Sequence, residues 1–170
     1  MYYWLEGDFG WKEAFADATL IVGHNILGYD NPVLEKLFNY KFPKTTRFHD
    51  TYIMSQVLDY KRFQERGHSL EEWGYSLGYP KIHFDDFSQY TEEMRDYCLQ
   101  DVRLNVRVYD TLIEELKVLK TKNPYIQTYL QAEHAVATWC TRAYVHGWPF
   151  DMEKANKLHE ILEKELATAT

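Results

Sequence analysis

The amino-acid sequence predicts an α/β domain followed by a pair of helices. Twice along the chain, a short apolar stretch leads through polar residues into a segment with helical spacing, which is the strand-to-helix alternation of α/β folds. A long stretch without Gly or Pro then carries apolar residues at helical intervals. A break at Asn123 and Pro124 precedes two more helical segments, so we place the domain at residues 1–122 and the helical pair at residues 123–170.

The first strand-to-helix unit lies near the amino terminus. Residues 20–22 form an apolar run that ends at Gly23, which predicts a buried strand. A short helix is expected before this strand, at residues 11–17. After the strand, Asn31 and Pro32 open a helix that continues to Phe38, because proline is favoured at the first positions of a helix.

The remaining elements are mostly helical. Residues 48–51 predict a second strand that runs into a helix, and Ser69 is expected to cap the helix after that. A long helix is predicted over residues 91–120, another over 126–145, and a last one after Asp151, which is placed to act as its N-cap. The apolar positions of the long helix are Met94, Tyr97, Cys98, Val102, Val106, Tyr109, Leu112, Ile113 and Leu116.

Composition favours a packed, cytoplasmic protein. Hydrophobic residues make up 45% of the chain and aromatic residues 16%, which excludes a disordered chain. No apolar run approaches the roughly 18 residues that a membrane span needs, and the first residues lack the pattern of a signal peptide. Cys98 and Cys140 have no metal-type spacing, so we expect neither a zinc site nor a disulfide framework.

The net charge of −7 argues against a simple nucleic-acid-binding module, which usually has a basic surface. It does not exclude a metal-dependent nuclease, because clustered carboxylates hold divalent cations that then meet the phosphate. Two basic stretches, at residues 40–47 and 60–66, offer positive charge that could follow a nucleic-acid backbone. Solvated loop charge is the simpler interpretation of both.

The first candidate site is the sequence HNILGYD, which runs from His24 to Asp30 directly after the first predicted strand. In an α/β fold, the carboxyl end of a strand is where ligands bind. A purely structural interpretation is also open, in which Asn25 and Asp30 shape a turn and cap the following helix.

The second candidate site is the pair Tyr97 and Asp101 in YCLQD. Residues four apart on a helix share one face, so the phenol and the carboxylate can point at the same place. Taken alone, a buried tyrosine beside a solvated acid is the simpler interpretation. The two candidate sites together are much more informative than either one.

These two motifs resemble those of the DEDD superfamily of two-metal 3′→5′ nucleases. HNILGYD resembles the second exonuclease motif, and YCLQD resembles the third motif of the tyrosine-containing subclass, with about 70 residues between the two acids. FHDTYIMSQVL, HSLEEWGYSLG and HGWPFD resemble the family A DNA polymerases of tailed bacteriophages, whose proofreading exonuclease domain runs into the polymerase domain. RNA-trimming exonucleases share the two motifs, but the HGWPFD turn favours the polymerase.

The resemblance implies a ribonuclease H-like (RNase H-like) fold and phosphodiester hydrolysis assisted by two Mg²⁺ ions, with Mn²⁺ as the usual substitute. By motif match, Asp101 would ligate the first metal and Asp30 would support the second, through water. Tyr97 would orient the attacking water molecule.

The resemblance also implies the partners. His24, Asn25 and Tyr29 would lie near the single-stranded 3′ end of a DNA primer-template, with Tyr29 available for stacking. The remainder of the polymerase would be a further partner, either in the same chain or as a second chain. No membrane partner is expected.

The chain departs from the family in one respect. The first exonuclease motif, an aspartate and a glutamate one residue apart on an opening strand, is not found before HNILGYD. Glu6 and Asp8 have the right separation in reversed order, and only 17 residues separate Asp8 from Asn25, too few for the intervening strands and helix. We therefore expect an N-terminally truncated exonuclease domain with weak or no activity alone. A split-polymerase subunit and a noncatalytic single-stranded-DNA-binding module are the alternatives.

Overall fold

The computed structural model of the protein describes residues 10–169, apart from the side chains of Glu65 and Ala169. Glu6 and Asp8, the residues considered as a replacement for the first motif, lie outside the described residues. The described chain folds into seven α-helices, two β-strands and one short 3₁₀ turn. In chain order these are α1 Gly10–Asp17, β1 Leu20–Gly23, α2 Asp30–Phe38, β2 Arg47–Asp50, α3 Thr51–Leu58, the 3₁₀ turn Gln64–Arg66, α4 Leu70–Ser76, α5 Glu92–Lys122, α6 Ile126–His146 and α7 Met152–Ala169.

The two strands form a small parallel sheet. Their register runs from Leu20 opposite Arg47 to Gly23 opposite Asp50, so both strands end at the same edge. Each strand then leads towards a helix, which confirms the predicted mixed α/β class at this coarse level. Most of the described chain is helical, and the residues that follow Gly23 and Asp50 meet at the carboxyl edge of the sheet.

The main core lies between α3, α4, α5 and α6. Trp73 of α4 and Met54 of α3 are almost fully buried there. The contribution of α5 is a stripe of residues spaced by four, namely Leu104, Val108, Leu112 and Leu116. Of the apolar positions predicted for this helix, Val102 and Val106 are instead exposed, because they lie off this stripe.

Side-chain caps end or begin several helices as the sequence predicts. Ser69 accepts a hydrogen bond from the backbone N–H of Glu72, and Asp151 accepts one from that of Lys154. Thr91 caps α5 in the same way. These caps explain why the predicted starts of α4, α5 and α7 agree with the structure to within about two residues.

The two helices after residue 122 differ in how far their apolar side chains are buried. The first half of α6 packs into the main core through Ile126 and Leu130, whereas α7 carries exposed apolar side chains, including Leu158 and Leu166. The domain boundary at residues 122 and 123 stays a prediction. None of the described helices has the length and apolar character required to cross a membrane.

Candidate active site

The HNILGYD residues form the loop that joins β1 to α2. Asn25 takes a left-handed backbone conformation, with φ at 59°, and its carbonyl accepts hydrogen bonds from the N–H groups of Gly28 and Tyr29. A Cβ at Gly28 would lie 2.5 Å from Oδ1 of Asn25, so any other residue there requires the Asn25 side chain to move. Asn25 therefore shapes a turn, whereas Asp30 is the first residue of α2 rather than its cap.

A buried carboxylate that the sequence reasoning missed fixes this loop. Asp50, at the end of β2, is 1% exposed and accepts hydrogen bonds from the backbone N–H groups of Asn25 at 2.8 Å and Leu27 at 3.1 Å. It also accepts from the N–H of Tyr52 and so caps α3. Its position directly after a predicted strand, in the sequence HDT, was the available signal.

The two ring nitrogens of His24 differ in their hydrogen bonding. Its Nδ1 lies 2.9 Å from the Thr51 hydroxyl, and that hydroxyl donates to Oδ1 of Asn105 at 2.7 Å. The same hydroxyl also lies 3.2 Å from the Gly23 carbonyl, so its hydrogen has acceptors other than His24, and we assign the proton to His24 Nδ1, which donates to Thr51. Burial, reinforced by the charge of Lys81, lowers the pKa of His24 to about 4, so the ring is neutral at pH 7. Its Nε2 is buried without a hydrogen-bond partner.

The side chains of Tyr97 and Asp101 both contact Lys81. The ammonium group of Lys81 lies 2.8 Å from Oδ2 of Asp101 and donates to the Tyr97 hydroxyl at 3.2 Å. This confirms that Tyr97 and Asp101 share one face of α5. Desolvation works against the charge of Lys81, but its hydrogen bonds to Asp101 and Tyr97 outweigh that effect and raise its pKa. The other carboxylate oxygen of Asp101 is buried without a partner.

Two phenylalanines support the tyrosine. The rings of Phe84 and Phe87 have their centroids 5.7 Å and 5.8 Å from that of Tyr97, one stacked and one edge-on. Aromatic contacts in these geometries are favourable and limit the freedom of the central ring. The phenol of Tyr97 is thus held in place both by its ring and, through Lys81, by its hydroxyl.

The structure links one residue of the first motif to the helix that bears the second. The hydrogen-bond chain from His24 through Thr51 reaches Asn105, which lies one helical turn after Asp101 on the same face of α5. The charge of Lys81, which pairs with Asp101, also lowers the pKa of His24.

Asp30 is placed differently. Its side chain is exposed, but the protein around the carboxyl still limits its hydration and raises its pKa, and the charge of Asp50 adds to that rise. No contact that joins Asp30 to Asp101 is found among residues 10–169. Tyr29, the preceding residue, is 65% exposed. The loop thus presents Tyr29 and Asp30 outward and His24 inward.

The described residues fit a divalent-metal centre only in part. The unpaired oxygen of Asp101 and the unpaired Nε2 of His24 are buried acceptors of the kind that a cation or a donor can satisfy. However, within residues 10–169 there is no group of three or more His, Cys, Asp or Glu side chains that could hold a metal ion. Two metal ions do not fit this set of ligands alone.

Some of the positive charge in the two basic stretches is paired within the protein. Lys41 pairs with Glu35 at 2.8 Å. Arg62 pairs with Glu115 and lies over the ring of Trp73, with 4.6 Å from its guanidinium carbon to the ring centroid. Lys41 and Arg62 therefore each pair with a carboxylate of the chain itself.

A cavity of ≈ 650 Å³ lies against the HNILGYD loop. Its walls come from the loop, from α3 and from α6, and include Asn25, Tyr52 and Tyr129. Tyr97 and Asp101 do not line it. We therefore assign the chemistry to the face around Asp101, where buried polar groups converge, and treat the cavity as a gap between the loop and α6.

No protein-family model matches the chain, and no curated protein matches it significantly. The functional argument thus depends on the geometry of the site and on the motifs that form it.

Proposed function

We propose that this chain is the 3′→5′ exonuclease portion of a bacteriophage family A DNA polymerase, in the tyrosine subclass of the DEDD superfamily, with an RNase H-like fold. One observation supports the proposal: His24, in the segment that resembles the second motif, is linked to the helix that bears the segment resembling the third motif, about 70 residues away in the sequence. The chain of contacts from His24 through Thr51 to Asn105 brings the loop to the α5 face that bears Tyr97 and Asp101.

The roles of the residues follow from their positions. Tyr97 would orient the attacking water molecule beside the scissile phosphate, Asp101 would ligate the first metal, and Asp30 would support the second through water. The exposed ring of Tyr29 is available to stack on a base of a single-stranded 3′ end, and Asn25 and His24 would border that end. His24 acts as a neutral acceptor, because its pKa of about 4 keeps it unprotonated at physiological pH.

The cofactor is proposed to be Mg²⁺, with Mn²⁺ as a substitute, held together with carboxylates from outside residues 10–169. The first-motif carboxylates would come from the remainder of the polymerase, in cis or as a second chain. The parallel sheet is compatible with this, because among the described residues β1 pairs only with β2, and its other edge can accept a further strand. The enzyme would act in the host cytoplasm, where its two free cysteines stay reduced.

A noncatalytic module that binds single-stranded DNA is the second candidate. The ion pair between Lys81 and Asp101 favours it, because the lysine neutralises the carboxylate without a metal ion. The two candidates differ in a measurable way. A noncatalytic module would bind single-stranded DNA equally well with or without Mg²⁺, and Asp101→Asn would not affect that binding.

The cleavage test uses single-stranded DNA labelled at its 5′ end, with Mg²⁺ or Mn²⁺, and compares the wild-type chain with Asp101→Ala. Asp110→Ala is the matched control, because it removes an exposed acid from the same helix. We expect little or no shortening by the chain alone. A 3′→5′ ladder that only Asp101→Ala abolishes would establish the exonuclease and would show that the site is complete. A ladder that survives in Asp101→Ala would contradict the assignment.

A second readout works even without cleavage. Mn²⁺ broadens the NMR signals of nearby amides at low occupancy, so it detects a weak, partial metal site. We expect broadening centred on Asp101 and Tyr97, lost in Asp101→Asn and kept in Asp110→Asn. If Mn²⁺ leaves the amides of Asp101 and Tyr97 unchanged, the exonuclease proposal fails.

A further inference from the structure

Two backbone amides of the HNILGYD loop are hydrogen-bonded to one side chain, Asp50. The carboxylate of Asp50 accepts from the N–H groups of Asn25 and Leu27, one on each oxygen. Asp50 is almost fully buried, so water does not replace these bonds when they break. The position of Asp50 therefore sets the position of the loop backbone.

Asp50 is in turn held by α6. The backbone N–H of Asp50 donates to Nε2 of His134 at 2.9 Å, and Nδ1 of the same ring lies 2.7 Å from the carbonyl of Leu130. Since a carbonyl only accepts, Nδ1 carries the proton and Nε2 is the acceptor. The two bonds together fix one neutral tautomer and one orientation of the ring.

The His134 ring is hydrogen-bonded to a residue of the main core. Leu130, which accepts the bond from His134, is buried in the main core beside the α5 stripe. Ala137, one turn further along α6, packs against the small cluster of Ile26, Leu27 and Ile53 below the loop. The hydrogen bond from Asp50 to His134 and the packing of Ala137 are thus two contacts that link α6 to the loop region.

We infer that His134 is a positioning residue that transmits the placement of α6 through Asp50 to the HNILGYD loop. This inference rests on the proposed function. If the HNILGYD loop borders the DNA end, then α6, which follows the predicted exonuclease domain, controls the position of that loop. A shift of α6 would move the Nε2 acceptor, release the Asp50 N–H and loosen the amides of Asn25 and Leu27. His134 itself has no contact with reacting atoms in this scheme.

The test measures amide hydrogen exchange in the whole chain for wild type, His134→Leu and His134→Gln. Leucine keeps the apolar bulk and removes the acceptor, whereas the glutamine oxygen can take the place of Nε2. We expect about tenfold faster exchange at Asp50, Asn25 and Leu27 in His134→Leu, since one hydrogen bond is lost. His134→Gln should restore most of the protection.

Two controls separate positioning from general destabilisation. The amides of Leu104, Val108 and Leu112 should keep their wild-type exchange in His134→Leu, and Gln131→Leu, an apolar change at an exposed position of α6, should leave the loop unchanged. Faster exchange everywhere would reduce His134 to a stability role and overturn the inference. So would wild-type exchange at Asn25 and Leu27, or equal acceleration in the leucine and glutamine variants.

This readout is independent of the proposed nuclease activity, because exchange requires neither metal nor DNA. A parallel arm measures the binding of a short labelled oligo(dT) to the same variants. If the wild type binds and His134→Leu binds several-fold more weakly while His134→Gln does not, the loop position matters for DNA. If the wild type fails to bind, the proposed substrate is wrong even where the exchange result holds.

Discussion

Two buried or half-buried aspartates illustrate the difference between a structural and a functional carboxylate. Asp50 lies at the end of β2 with its oxygens engaged by the backbone N–H groups of Asn25, Leu27 and Tyr52. Asp101 lies on α5 with one oxygen on Lys81 and the other buried without a partner. Both are surrounded by protein, but only the first has its hydrogen bonding completed by its own chain.

The comparison teaches where stability and function reside in this molecule. Buried polar groups are normally satisfied, and a group that is left unpaired needs an explanation such as a ligand or a catalytic role. The hydrogen bonds of Asp50 stabilise the loop, so its burial requires no ligand to explain it. The oxygen of Asp101 and the Nε2 of His24 that have no partner are the groups for which the proposed function would supply one.

The largest expected effect comes from removing the satisfied carboxylate. Asp50→Ala leaves buried N–H groups without an acceptor, and we expect the free energy of unfolding to fall by more than about 3 kcal/mol. Chemical denaturation measures it, with Asp110→Ala as the control that should stay within about 0.5 kcal/mol. A loss below about 1 kcal/mol for Asp50→Ala would remove the distinction between the two aspartates.

The next effect depends on pH. The pKa of His24 is lowered by burial from 6.5 to about 4, so the unfolded chain binds the proton more tightly than the folded protein. The stability that neutral His24 contributes is complete above about pH 6.5 and declines as the pH falls towards 4. We expect a contribution on the order of 2 kcal/mol.

The comparison of wild type with His24→Gln across this range isolates that contribution, because glutamine does not titrate. His49, whose pKa burial also lowers, acts in the same direction but is present in both proteins. Denaturation curves at closely spaced pH values should show a smaller slope for His24→Gln. Parallel curves for the two proteins would mean that His24 is hydrated and charged like an ordinary surface histidine.

The smallest stability effect is expected at the predicted catalytic aspartate. Asp101→Asn breaks the ion pair with Lys81. The side chains of Asp101 and Lys81 are 21% and 26% exposed, and such partly exposed pairs contribute at most about 1 kcal/mol to stability. The unfolding free energy should change by less than that amount. A loss as large as that of Asp50→Ala would assign Asp101 a structural role instead.

Much of the architecture was predictable because local signals coincide with it. The apolar run before Gly23, the caps at Ser69 and Asp151, and the α5 segment without Gly or Pro each specify an element by themselves. The buried stripe of α5 was less predictable, since Val102 and Leu104 are equally apolar in sequence and only packing against α3, α4 and α6 decides which is covered.

The candidate site was predictable in its motifs but not in its connections. Tyr97 and Asp101 share a face because of helical spacing alone. Lys81 lies in a loop, and no periodic pattern places its ammonium group between them. His134 is the clearest case, since a histidine 84 residues from Asp50 gives no local sign that it accepts from that residue's backbone.

The affinity of the chain for Mg²⁺, measured by calorimetry, tests most directly the claim that residues 10–169 carry part of a two-metal site. We predict no saturable binding below about 1 mM, because no group of three or more His, Cys, Asp or Glu ligands is found within residues 10–169 to hold the ion. Stoichiometric binding at micromolar concentration, abolished by Asp101→Asn and retained in Asp110→Asn, would contradict this account and show that the chain completes its metal site alone.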